Sequence, residues 1–144
     1  MTPAASVTMV AADLPQQTGR GFAVAFTPDK ALVRHTRQIT AEHWRLWHVT
    51  GPTADSVVLT VSELVTNAIQ HGNGDLDLKV FHTDNELRVE VTDGNPEAAQ
   101  LKPVDAEAVS GRGLFLVAAL ARDWGVNVDG TTTWATFRVP AGRL

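Results

Sequence analysis

The sequence predicts one α/β domain, in which helices and half-buried strands share a core. Three observations point there. Residues 57–71, VVLTVSELVTNAIQH, carry apolar side chains at Val57, Val58, Val61, Leu64, Val65, Ala68 and Ile69, the stripe of an amphipathic helix. Leu76, Leu78 and Val80, then Leu87, Val89 and Val91, alternate with polar residues as strands with one buried face do. A further amphipathic helix, LFLVAALARDW from Leu114, is followed by two short strand patterns.

Composition bounds the class. At 144 residues and 44% apolar, the chain is long enough for one sizeable core. A net charge of −4 without any basic run argues against nucleic acid held through its phosphates. The absence of cysteine excludes disulfides and thiolate metal sites. No apolar run approaches the roughly 18 residues of a membrane span. The N-terminus lacks the basic and apolar regions of a signal peptide, so the expected location is the cytoplasm, with no membrane partner.

In chain order, residues 1–20, rich in Ala, Thr, Pro and Gln, read as a mobile tail, and residues 21–140 as the domain. GFAVAF, residues 21–26, is a strand candidate. Thr27-Pro28-Asp29 reads as a helix start with Thr27 as cap. That first helix extends to about His48, with Leu32, Ile39 and Trp47 at buried positions and His35 on the surface. Gly51-Pro52 breaks the chain, and Thr53 is expected to cap the second helix, which ends near His71-Gly72. Asn73-Gly74-Asp75 and Asp84-Asn85 are turns around the strand from Leu76. Residues 96–110 lack periodicity and read as a movable loop of the kind that covers a ligand. Gly125 is expected to close the third helix. Val126–Val128 and Thr132–Val139 are then strands joined at Asp129-Gly130, with Trp134 and Phe137 in the core or on a sheet face.

Three polar features stand out against this pattern. Glu63, Asn67 and His71 are spaced four apart with Thr60 beside them, which rows them along one rim of the second helix. Taken alone, such a row is a solvated flank. Asp93 shares the parity of Leu87, Val89 and Val91, so period two aims its carboxylate toward the apolar side, where it needs hydrogen-bond donors. Gly94 beside it allows close backbone approach. Taken alone, Asp93-Gly94 is also an ordinary turn. Ser110-Gly111-Arg112-Gly113 leads into a helix, where exposed N–H groups and the helix dipole suit phosphate, although a glycine pair there can equally be a hinge.

The ordered set ELVTNAIQHG (63–72), VTDGNP (91–96) and GRGLFLV (111–117) resembles the GHKL ATP-binding superfamily, which includes type II topoisomerases, mismatch-repair ATPases, sensor histidine kinases and bacterial anti-sigma serine kinases. The resemblance covers about residues 21–140 and implies the Bergerat fold, a mixed, mostly antiparallel sheet with helices on one face. Its small size, GRGL at 111–114, Trp124-Gly125 and Trp134 make it most similar to small actinobacterial regulators of the anti-sigma kinase type. It departs from them at Thr131, where Lys is frequent.

The resemblance assigns roles. Asn67 would ligate Mg²⁺ bridging the phosphates of ATP, and Glu63 would be the general base. Asp93 would accept from the adenine amino group with Gly94 against the ring. Gly111, Arg112, Gly113 and Leu114 would lie along the phosphates, and Thr132 would support the adenine pocket. The implied activity is that of a serine/threonine kinase acting on an antagonist protein in a partner-switching pathway. Its implied partners are a sigma factor or that antagonist, and its implied state is a homodimer. The alternative is a nucleotide-dependent binding module without kinase activity.

Overall fold

The computed structural model describes residues 9–16, 19–71, 74–83, 85–94 and 109–139. Its order is β1 (Met9–Gln16), β2 (Gly19–Phe26), α1 (Ala31–Trp47), α2 (Pro52–His71), β3 (Leu76–Thr83), β4 (Glu86–Thr92), α3 (Val109–Leu120), β5 (Asp123–Val126) and β6 (Thr132–Arg138). The strands form one six-stranded sheet in the order β1-β2-β3-β4-β6-β5. Every pairing among the described residues is antiparallel, in keeping with the mostly antiparallel sheet expected.

Period-two alternation decides which side the helices cover. Phe22, Val24, Leu78, Val80, Leu87, Val89, Val91, Ala135 and Phe137 are all buried, and α2 packs against β3, β4 and β6 on that face. The opposite face carries the register row Ala23, Lys79, Glu90, Trp134 and Gly125. There Arg88 stacks on the Trp134 ring at 4.6 Å and its Nε donates to Glu90 at 2.7 Å.

Helix α2 is the axis of the helical layer. Val57, Val61 and Val65 are fully buried and Leu64 and Ala68 nearly so, which accounts for the stripe read in the sequence. Each such side chain contributes roughly 1.5–3 kcal/mol by leaving water, Ala less. Helix α1 packs on α2 and buries Leu32, Thr36, Thr40, Trp44 and Trp47, the last against Phe22 of β2 and His82 of β3. Two threonines fit this buried stripe because their hydroxyls donate back into the helix, Thr36 to the Val33 carbonyl at 2.7 Å and Thr40 to the Thr36 carbonyl at 2.8 Å. Trp44 ties the two helices together, its indole N–H donating to the Ala54 carbonyl at 2.9 Å. Of the expected buried positions, Leu32 and Trp47 are in the core and Ile39 packs at its edge. His35 is exposed.

Several boundaries differ from the expectation. Residues 9–16 form edge strand β1, where a tail was expected. The alternation Val10, Ala12, Leu14 is short and interrupted by Pro15, which an edge strand tolerates. β2 begins at Gly19 rather than Gly21. Helix α1 starts at Ala31, not at Thr27, because the chain first turns over Asp29, whose Oδ1 accepts the Ala31 amide at 2.9 Å. Thr53 lies inside α2 instead of capping it. Gly51, at φ 90°, makes the turn and Pro52 takes the first helical position, where its missing N–H costs nothing. Helix α3 ends at Leu120 rather than at Gly125, because the chain leaves to pair with β6. The Arg122 amide donates to the Thr136 carbonyl at 2.8 Å, and Gly125 sits inside β5. The strand expected at Val126–Val128 is therefore Asp123–Val126, and Asn127 to Gly130 make the turn, with Gly130 at φ 78°. Phe137 is in the core, and Trp134 is half-buried on the outer face.

Gly125 is explained by that outer face. A Cβ there would stand 2.9 Å from Cζ2 and 3.1 Å from Cε2 of Trp134, its cross-strand neighbour. We expect Gly125→Ala to push the ring off its seat, uncouple Arg88 and cost about 1–3 kcal/mol, as overpacking does. Urea unfolding checks this, and the penalty should shrink in a Trp134→Phe background.

Candidate functional site

Helix α2 places Glu63 and Asn67 one turn apart, about 6 Å along its axis. Asn67 is buried at 7% exposure, Glu63 is half-buried, and His71 at the end of the helix is exposed. Asp93 follows β4 directly and is 9% exposed, on the same side of the sheet as Leu87, Val89 and Val91. Asn67 and Asp93 both have polar partners, as buried groups of their kind require. Gly94 is exposed beside Asp93.

The connectivity brings these groups to one end of the sheet. The chain passes from the C-terminal end of α2 through residues 72–75 into the start of β3. The start of β3 pairs with the end of β4 (Asp77 with Thr92), and the end of β4 pairs with the start of β6 (Thr92 with Thr132). The end of α2, Asp93-Gly94 and Thr131-Thr132 therefore share an edge of the molecule. The edge is fastened by hydrogen bonds. The Asp93 amide donates to the Thr131 carbonyl at 2.9 Å, and the Thr92 and Thr132 hydroxyls meet at 2.7 Å. Thr131 is held in turn by Asp129, whose carboxylate accepts its amide at 3.0 Å and its hydroxyl at 2.7 Å. These two bonds, backbone first, hold the Asp129 pKa below the ordinary carboxylate value. The Asn127 side chain accepts the Thr132 amide at 3.1 Å.

Helix α3 approaches the same edge. Its C-terminal end and the following Arg122 share a cavity with Thr53 and Ser56, at the start of α2, and the two helices pack along each other. They run antiparallel, so the start of α3 is directed toward the Glu63–Asn67 half of α2. Gly111, Arg112, Gly113 and Leu114 lie within the first turns of this helix, which begins at Val109. The sequence had placed the glycines just ahead of it. Glycine tolerates a first turn, where the amides have no partner within the helix. The loop expected over 96–110 falls outside the described residues up to position 108, and its last two residues open α3.

Two parts of this edge escaped the sequence. The Thr92–Thr132 pair joins residues 40 positions apart, and only strand register reveals it. The Asn127–Asp129 scaffold beneath Thr131 and Thr132 had a visible signal in Asn127-Val128-Asp129-Gly130, whose Asx residues can bind backbone two residues on. Among the described residues no three His, Cys, Asp or Glu side chains come close enough to hold a metal unaided.

An antiparallel sheet under helices, with a carboxamide, a buried carboxylate and a glycine-bearing helix start directed to one edge, is the framework of a nucleotide-binding α/β sandwich. A family model described as a histidine kinase-like ATPase domain matches residues 26–137, and the chain belongs to that family. Membership implies ATP binding. No curated protein matches the chain. No helix among the described residues is long and apolar enough to cross a membrane.

Proposed function

We propose that this protein is an ATP-dependent serine/threonine kinase of the anti-sigma type, which phosphorylates an antagonist protein and exchanges partners according to its nucleotide. The observation that carries the reading is the pairing of Glu63 with Asn67 on one helix, at the end of the sheet that also holds Asp93. A module that only senses occupancy needs the carboxamide and Asp93 but has no use for a base one turn away.

In this reading Asp93 accepts the adenine amino group, Gly94 lets the main chain approach the ring, and Thr132 steadies Asp93 through the bonded β4–β6 edge. The unpaired first-turn amides of α3, those of Gly111 and Arg112 among them, line the phosphates, with Gly113 and Leu114 next along the helix. Asn67 fits Mg²⁺ as an oxygen ligand. With no cluster of carboxylates to supply the rest, the ion would take its other oxygens from phosphate and water and would neutralise phosphate charge. Glu63 takes the proton of the incoming serine hydroxyl as the serine oxygen bonds to the terminal phosphorus and the bond to the ADP oxygen breaks, leaving phosphoserine and ADP. The partners in this reading are a sigma factor and/or an anti-sigma factor antagonist protein, and the working form is a homodimer in the cytoplasm.

ATP titrations with and without Mg²⁺ on the wild type and on Asn67→Ala test the nucleotide reading. We expect Mg²⁺ to strengthen binding in the wild type and Asn67→Ala to remove most of that gain, about tenfold or more, since a ligand to a charged centre is lost. Metal-independent binding of equal strength in both proteins would contradict it. Transfer of labelled phosphate to a purified antagonist separates the kinase from a binding-only module.

A further inference from the structure

The most basic stretch of this acidic chain is α1 with its N-cap, Lys30. Residues Lys30 to Trp47 hold four of the 12 Lys and Arg residues and one of the 16 Asp and Glu residues. The cations are also aligned. Lys30, Arg34, Arg37, Ala41 and Arg45 follow one another at intervals of three or four positions, which sets them on one helical stripe about 22 Å long. All five are exposed. The stripe faces away from the core, because Leu32, Thr36, Thr40, Trp44 and Trp47 take the buried side. Glu42, the one acid of the helix, is paired with Arg45. Among the described residues Lys30, Arg34 and Arg37 have no side-chain partner.

The physics of the free helix opposes this arrangement in two ways. Lys30 with Arg34, and Arg34 with Arg37, are like charges one turn apart, and such pairs repel. The start of a helix is also the positive end of its macrodipole, where acids are favoured and cations are not. Yet α1 has no acid in its first turn, and the Lys30 side chain makes no cap bond. Asp29 alone works in the other direction, through the bond from the Ala31 amide at 2.9 Å. Solubility does not call for the pattern either, since a solvated face is served by interspersed charges of both signs. The cations are therefore placed against the stability of the isolated chain, and an opposing row of acids would relieve both conflicts.

We propose that the outer face of α1 docks an acidic helix of a partner protein, with Asp or Glu on one stripe at the same repeat of three and four residues. Charge complementarity sets the sign of the partner, and the arginine forks suit its carboxylates. The shape of the stripe, narrow and about four turns long, is that of a helix laid alongside. Ala41, the smallest side chain on the stripe, lets the partner come close. A nucleic-acid duplex or an anionic bilayer fits less well, because 15 of the 16 acids lie outside this helix and would repel a broad polyanion. A bilayer also needs apolar side chains to insert, and α1 has buried its own. Leu46, the one large apolar side chain that α1 exposes, stands off the stripe. The face includes neither Glu63, Asn67 nor Asp93, so the inference does not rest on the kinase reading.

Amide chemical shifts of the full-length ¹⁵N-labelled chain test this. The probe is a synthetic helical peptide with Glu at i, i+4, i+7 and i+11 in an Ala and Gln background. Its controls are a scrambled peptide of the same composition, the peptide with Gln for Glu, a DNA duplex and phosphatidylserine vesicles. We expect saturable shifts at Arg34, Arg37, Ala41 and Arg45 with the acidic peptide, about fivefold weaker binding of the scrambled one and none of the Gln peptide. Added salt should weaken the binding several-fold. Arg34→Gln combined with Arg37→Gln should weaken it about tenfold, and Asn67→Ala should leave it in place. Arg34→Glu should abolish it and raise the Tm of the free chain by about 1–4 °C, because it removes the conflict with the helix dipole. Absence of saturation, equal binding of the scrambled peptide, or tighter binding of the duplex or vesicles would overturn the proposal. So would shifts that survive the double arginine variant, or a Tm that falls in Arg34→Glu.

Discussion

Glu63→Gln is expected to leave ATP affinity within about twofold of the wild type and to slow phosphoryl transfer by roughly 10²–10⁴. The amide keeps the size and hydrogen-bonding reach of the carboxylate and loses only the ability to take a proton. Glu63 is half-buried on the flank of α2 and stands outside the apolar core, so the substitution should not unfold the helix. Single-turnover transfer of labelled phosphate to the antagonist gives the rate, and a fluorescent ATP analogue gives the affinity. A transfer rate that survives the substitution would remove Glu63 as the base. A rate that falls only in proportion to lost binding would make it a nucleotide contact.

Where the sequence was legible, the physics was local and periodic. The stripe from Val57 to Ala68 specifies a helix with one buried face, and the alternations Leu76–Leu78–Val80 and Leu87–Val89–Val91 specify the side of the sheet it covers. The parity of Asp93 with that second alternation was enough to place a carboxylate on the buried face, which the structure shows at 9% exposure. These readings depend only on which way successive side chains point.

What the sequence concealed depends on pairing at a distance. β1 is held by main-chain bonds to β2, which any sequence without too many prolines can make, so its composition resembled a tail. The end of α3 is set by competition. The apolar pattern runs on through Ala121 to Trp124, but β6 offers carbonyls to the chain from Arg122 onward, and the ladder wins. Thr36 and Thr40 count as polar in any stripe, yet they lie at 0% exposure because the helix accepts their hydroxyls. The Thr92–Thr132 bond and the cavity beside Arg122 are both products of register and helix packing, which no window of sequence contains.

Asp93→Asn is expected to weaken ATP binding by about ten- to a hundredfold, the loss of one charged hydrogen bond worth roughly 1.5–3 kcal/mol. The selectivity comes from what the buried carboxylate accepts. An ionised Asp is an acceptor only, and adenine presents an amino donor, whereas the corresponding purine of inosine triphosphate presents a carbonyl acceptor. The wild type should therefore bind ATP well ahead of inosine triphosphate, since two acceptors facing each other in a buried site leave both unpaired. In Asp93→Asn the side-chain amide can turn its NH₂ toward that carbonyl. The preference should then narrow or invert, with ATP binding falling as inosine triphosphate binding rises. The main-chain bond from the Asp93 amide to Thr131 is untouched by the change, so the β4–β6 edge should hold and thermal unfolding should move little. That separation matters, because simple collapse of the edge would weaken both nucleotides equally. Parallel titrations of the two triphosphates against the two proteins read the crossover directly, and parallel losses would mean that Asp93 supports the fold without touching the base.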